Sequence, residues 1–266
     1  MIILFLFSPV IDGVLDPQEG WMAGAGNPDT TAFKGADLDS LYYAASGGTL
    51  YLAIKTGNRA NWSLSYGFAL DVDRTQNSGC TDTVDSWQRK IVFPNEAPDY
   101  FLPDYEVYFY WNEDSARITS AGLNKWIGSS DTLWIWNLCP FNYAWSGDTL
   151  TGLQVLEFAI PLDTIGNPTK VLVSTWIAGA TEGSSAVDAL PPASSIDPFD
   201  TAKEWTDTDT SSTYITVNIS GIPRVRHEVP LKDGIYNVMG RKAAEGTPGV
   251  YFVIEEGKVK KTLLVR

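Results

Sequence analysis

Asp71, Asp73, Asn77 and Asp82 all fall within the stretch DVDRTQNSGCTDTVDSW, residues 71–87. Closely spaced carboxylates and an amide oxygen are the donors that a hard cation takes, and calcium gathers six to eight such oxygens. The spacing is not that of an EF-hand. Gln76 stands where that loop needs glycine, and Asp82 stands where it needs a bidentate glutamate. Two readings are open: a calcium site built from these four residues, or a polar connection whose Asp and Asn side chains cap turns.

A second chemistry is carried by rings. The chain has 10 Trp and 12 Tyr. Sugar rings present apolar C–H faces that stack on indole and phenol, while neighbouring Asn, Gln, Asp and Arg bind the hydroxyls. Trp87, Trp111, Trp126, Trp134, Trp136 and Trp145, with Tyr108, are the candidates for such stacking. Alternation puts Trp134 and Trp136 on one side of a strand and Leu133 and Ile135 on the other. It likewise puts Tyr108 and Tyr110 opposite Val107, Phe109 and Trp111. The competing role for each ring is to fill a core.

Covalent and acid–base sets are not evident. The one histidine, His227, has no nucleophile beside it, and HExxH, CxxC, P-loop and GxGxxG patterns do not occur. Paired carboxylates remain available in principle, but no pair stands out in the sequence. The expectation is a protein that binds rather than catalyses.

The elements that must position these residues read as strands. TLYLAIKT (49–56), LSYGFALDV (64–72), YEVYFYW (105–111), DTLWIWNL (131–138), LQVLEFAIPL (153–162), KVLVSTWIAG (170–179) and TYITVNI (213–219) are short and rich in β-branched and aromatic residues. Gly, Asn, Asp, Ser and Pro bound them. The one candidate helical turn is PLDTIG (161–166). Many short strands predict an all-β fold, an antiparallel β-sandwich of jelly-roll or immunoglobulin-like type.

Charge divides the chain. Residues 1–220 hold 10 Lys+Arg against 27 Asp+Glu, and residues 221–266 hold 9 against 5. With a net charge of −13 and no basic stripe in the body, nucleic acid is not an expected partner. No stretch approaches the roughly 20 apolar residues of a transmembrane helix. Met1–Ser8 reads either as a signal-peptide remnant or as a first strand. Cys80 and Cys139 are open to pairing in an exported protein, or to standing apart as buried thiols. After a Pro-bearing linker from residue 221, GVYFVIEEGKVKKTLLV predicts a C-terminal β-hairpin turning near Glu256–Gly257.

Two resemblances add to this reading. In order, IDGVLDPQEGW (11–21), LYLAIKT (50–56), FALDVD (68–73), DSWQRKIVF (85–93), DYEVYFYW (104–111), LEFAIPLDTIG (156–166), VDALP (187–191) and WTDTDTSSTYITVNI (205–219) resemble the DOMON-like β-sandwich superfamily. That superfamily holds family-nine carbohydrate-binding modules and the C-terminal domain of glucodextranase. The resemblance covers residues 9–220 and implies an antiparallel sandwich that binds sugar between aromatic side chains, often with a structural calcium. Haem, the other ligand of such domains, is not expected, because the body has no His and the chain only three Met.

In the tail, IYNVMGRKA (235–243), PGVYFVIE (248–255) and GKVKKTLLVR (257–266) resemble the C-terminal sorting domain of the type IX secretion system. This implies recognition by the type IX machinery and an extracellular or outer-surface location. The combined expectation is a non-catalytic module for polysaccharide or oligosaccharide. Its rivals are a structural or adhesive surface protein and an accessory fragment of a glycoside hydrolase system.

Overall fold

The computed structural model describes residues 8–27, 36–57, 62–96, 100–200 and 205–219, and the backbone of 234–237, 249–255 and 258–264. All but Ser8 of the proposed signal remnant (residues 1–8), and the linker GIPRVRHEVP (221–230), lie outside the described residues. The chain divides into two compact units, 1–223 and 224–266.

The first unit is all strand and turn among its described residues. In chain order the strands are β1 (Met22–Gly26), β2 (Leu38–Ser46), β3 (Thr49–Thr56), β4 (Leu64–Asp71), β5 (Ile91–Val92), β6 (Tyr105–Asn112) and β7 (Arg117–Trp126). There follow β8 (Trp134–Ile135), β9 (Asn142–Asp148), β10 (Gly152–Pro161), β11 (Lys170–Gly179), β12 (Ala186–Leu190), β13 (Asp209–Thr210) and β14 (Ile215–Asn218). One antiparallel sheet has the order β1-β2-β3-β10-β9, and the other β12-β11-β4-β6-β7-β8, with β14 also on β11. The expected antiparallel sandwich is therefore what forms.

Period-two patterning explains why the sheets close on each other. Leu50, Leu52 and Ile54 of β3 and Leu156, Phe158 and Ile160 of β10 face Tyr66, Phe68 and Leu70 of β4 and Val107, Phe109 and Trp111 of β6. Phe158 meets Phe68 and Phe109 at centroid distances of 4.7 and 5.2 Å. Each such ring buries enough apolar surface to contribute about 2–3 kcal/mol.

The second sheet is covered on its other face too. Cys80, Phe93, Phe101, Leu102, Ala193 and Ile196, from the segments before β6 and after β12, pack on Ala69, Tyr108, Leu172 and Trp176. A short parallel pair, β5 with β13, ties the two covering segments together. Every residue of β4 is consequently buried.

Some expectations change. PLDTIG forms consecutive i→i+3 turns, from Pro161 O to Thr164 N and Leu162 O to Ile165 N, ending at Gly166 with φ +84°. Cys80 and Cys139 are free thiols, one in the covered outer face and the other against the inter-sheet core. DTLWIWNL contributes only two residues to a strand: Asn137, at φ +51°, interrupts the ladder, although Leu138 N still bonds Leu123 O of β7.

The second unit is an antiparallel sheet of β15 (Gly234–Asn237), β16 (Gly249–Glu255) and β17 (Lys258–Leu264). Glu255 pairs with Lys258, so β16 and β17 form the expected hairpin; its turn residues, 256–257, lie outside the described residues.

Candidate functional site: an aromatic cleft over a buried polar cluster

The site begins with a turn. Asp85 Oδ1 accepts hydrogen bonds from Trp87 N and Arg89 N, both at 2.8 Å, and Gln88 takes φ +61°. An aspartate that bonds the backbone two and four residues on is a local reason for a tight turn here. The turn presents Trp87 with its ring parallel to Tyr108, centroids 4.9 Å apart. The Tyr108 hydroxyl donates to Asp85 Oδ2 and accepts from Trp176 Nε1 at 3.1 Å.

Arg89 braces the opposite wall. Its guanidinium donates to Gly179 O (2.9 Å), Ala180 O (3.0 Å), Ser65 Oγ (2.7 Å) and Trp87 O. Behind the turn, Glu106 Oε2 accepts from Ser86 N, while its buried Oε1 has no hydrogen-bond partner. Burial, reinforced by Asp85, pushes Glu106 well above the usual carboxylate range, and burial raises Asp85 itself to about 7.

Asn124 connects the two sides of the site. Its amide donates to Ser86 Oγ at 2.9 Å, and its carbonyl accepts from Asn137 N at 3.1 Å. Ser86 precedes Trp87, and Asn137 follows Trp136. The result is a cleft of about 270 Å³ lined by Trp87, Gln88, Arg89, Tyr110, Trp136, Ala180 and Glu182. Trp136 is 49% exposed. Such a cleft offers ring faces for stacking, with an amide and a carboxylate at the rim for hydroxyls.

Trp87 and Trp136, among the rings expected to stack, are thus brought together. The others are elsewhere. Trp111 is wholly buried between the sheets, because its alternation places it with Val107 and Phe109 rather than with Tyr108. Trp134 is 3% exposed and packs edge-on with Trp126, centroids 5.1 Å apart. Trp134 and Trp136 therefore do not share a face, since the strand ends between them. Tyr108 is buried and serves as backing for Trp87. Trp145 lies on β9 beside Tyr143, away from the cleft lining. The sequence reading missed Gln88, Arg89 and Glu182; only Tyr110 carried a signal, through its alternation with Tyr108.

A larger groove of about 540 Å³ runs beside β3, β9 and β10, lined by residues such as Pro9, Tyr51, Pro140, Phe141 and Asn142. Among the described residues no charged side chain lines it, and Phe141 is committed to the core beside Phe109. The smaller cleft is the better candidate on chemistry.

The acidic stretch also resolves. Asp71 and Asp73 meet Asp104, with ligand oxygens of the three within 4.8 Å of one another. Asp104 precedes β6 and reaches the other two because its backbone N–H bonds Leu70 O at the end of β4. Burial, with Asp73 and Asp71 nearby, raises Asp104 to about 6. Asn77 instead pairs with Asn95, its side-chain oxygen 2.8 Å from Asn95 Nδ2, and Asp82 caps Thr83 N at 2.7 Å. Neither belongs to the trio. Three carboxylates are half the oxygens that calcium needs; both oxygens of Asp71 already accept backbone N–H bonds, Asp73 accepts from Thr75 N and Ser78 Oγ, and Asp104 accepts from Val72 N through one oxygen. The trio therefore fits part of a calcium shell.

The chain matches no protein-family model, and it matches neither a curated protein nor a solved structure.

Proposed function

We propose that the first unit is a non-catalytic carbohydrate-binding module whose sugar stacks between Trp87 and Trp136. The observation that carries this reading is the pairing, in one cleft, of a braced ring and an exposed ring with Gln88 and Glu182 at the rim. The two carboxyls behind the turn, Asp85 and Glu106, are fully buried, which supports binding over hydrolysis. Asp71, Asp73 and Asp104 hold a structural calcium in this reading, with Asp104 taking the part first given to Asn77 and Asp82. The tail acts as a signal for the type IX machinery, which implies export to the outer surface or medium; the motifs in 235–266 support it.

Affinity electrophoresis through gels containing α-glucan, β-glucan or xylan tests the binding. Retardation by at least one polymer, abolished by Trp136→Ala in a folded variant, is expected. Unretarded migration on all of them overturns the reading.

A further inference from the structure

At the end of the sheet that carries the cleft lies a second pair of tryptophans, of which Trp205 packs against the inter-sheet core. At the ends of β4 and β11, Leu64 pairs with Gly179, and Trp62 lies two residues before Leu64. Gly179 and Ala180 are the residues whose carbonyls Arg89 holds, and Ala180 lines the cleft. The Trp205 ring lies against Gly179, since a Cβ built there would stand 3.3 Å from Trp205 Cε3. Trp62 meets Trp205 edge-to-face, centroids 5.9 Å apart and planes at 85°. Trp62 is 39% exposed and belongs to neither core cluster. An indole left open to water but fixed in orientation by a second indole has the properties of a stacking platform.

We infer that Trp62, oriented by Trp205, is a second sugar subsite beyond the Trp87–Trp136 cleft, so that the ligand is an extended oligosaccharide rather than a single terminal sugar. This rests on the carbohydrate reading of the cleft and extends it. Arg89 joins the two subsites, because one guanidinium holds the backbone of Trp87 on one side and of Gly179–Ala180 on the other.

The test is calorimetry with oligosaccharide ladders, disaccharide to hexasaccharide, of β-1,4-glucan, β-1,3-glucan, α-1,4-glucan and xylan. Wild-type affinity is expected to rise with length on at least one ladder. Trp62→Ala is expected to weaken the hexasaccharide about tenfold and leave the disaccharide unchanged, while Trp136→Ala weakens both. Trp62→Phe, which keeps a ring, retains the length dependence. The thermal midpoint checks that each variant is folded, and Trp62→Gln replaces the alanine variant should that one melt early. A hexasaccharide bound equally by wild type and Trp62→Ala overturns the second subsite. So does a wild-type affinity that ignores length, or an equal loss on both lengths. In each of these cases the cleft still binds sugar. Binding of no ladder at all removes the first reading together with the second.

Discussion

Trp87 lies flat on Tyr108, with ring centroids 4.9 Å apart and planes 10° from parallel. The lower ring is itself held at its hydroxyl by Asp85 and Trp176, so the orientation of the exposed face is decided in the interior. Tyr108→Phe keeps the stack but leaves Asp85 Oδ2 and Trp176 Nε1 short of a partner. A loss of about 1–3 kcal/mol in urea unfolding is expected, together with weaker glycan retardation as Trp87 loosens. Unchanged stability would show that the hydroxyl is replaceable by water.

Asn124 makes the corresponding prediction for the two walls. Asn124→Ala removes the link from Ser86 to Asn137 and should cost about 1–3 kcal/mol. Its sharper signature is on binding: affinity for the preferred oligosaccharide falls although Asn124 lines no part of the cleft. Equal affinity in the folded variant would separate the network from the site.

Stability should decline from acid toward neutral pH. Asp188 on β12 accepts from Leu38 N of the other sheet at 2.6 Å and from its neighbour Ala189 N. Burial, with Asp37 nearby, raises its pKa from 3.8 to about 7. The folded chain thus holds that proton more tightly than the unfolded chain. The contribution is complete below about pH 4 and is lost as pH rises through about 7. Asp85 acts in the same direction. Thermal midpoints between pH 4 and 8 should fall, and Asp188→Asn should flatten the fall while lowering the acid plateau.

Calcium at about 1 mM, the range in which extracellular sites fill, should raise the thermal midpoint, and a chelator should reverse it. Asp104→Asn should abolish the response, whereas Asn77→Ala should keep it. A response that survives Asp104→Asn would place the ion elsewhere.

Gly67 faces the Trp176 indole so closely that a Cβ there would stand 2.5 Å from Trp176 Cε2. Gly67→Ala should therefore cost about 1–3 kcal/mol by displacing the ring. A shift of the denaturation midpoint without a change in slope is the expected record.

The inner core was open to reading from the chain alone. β3 and β11 have the bounds that alternation predicts, and in β6 it separates Val107, Phe109 and Trp111 from Tyr108 as observed. β2 and β7 were missed, since LDSLYYAAS and RITSAGLNKW carry serine, alanine and charge where a clear alternation was sought. The sites were harder for a different reason. Asp104 lies 31 residues beyond Asp73 and joins it only through the pairing of β6 with β4. The cleft draws on segments near residues 87, 110, 136 and 180, and no local spacing signals such a convergence. Phe93 and Phe101 lie outside every strand read from the sequence, yet both are buried against Trp176 or its neighbours.

That last contact bears on how the protein can be re-engineered. Connections between strands ordinarily accept deletions and grafted inserts because they lie in water. Here Cys80, Phe93, Phe101 and Leu102, between β4 and β6, belong to a structural layer, and trimming that connection to a tight turn would strip the outer face of β4 and β11. The chain instead offers its tolerance at the Gly47–Gly48 turn, where neither glycine has a neighbour within reach of a new side chain. An inserted tag, reporter or second module belongs at that hairpin, on the sheet opposite the cleft.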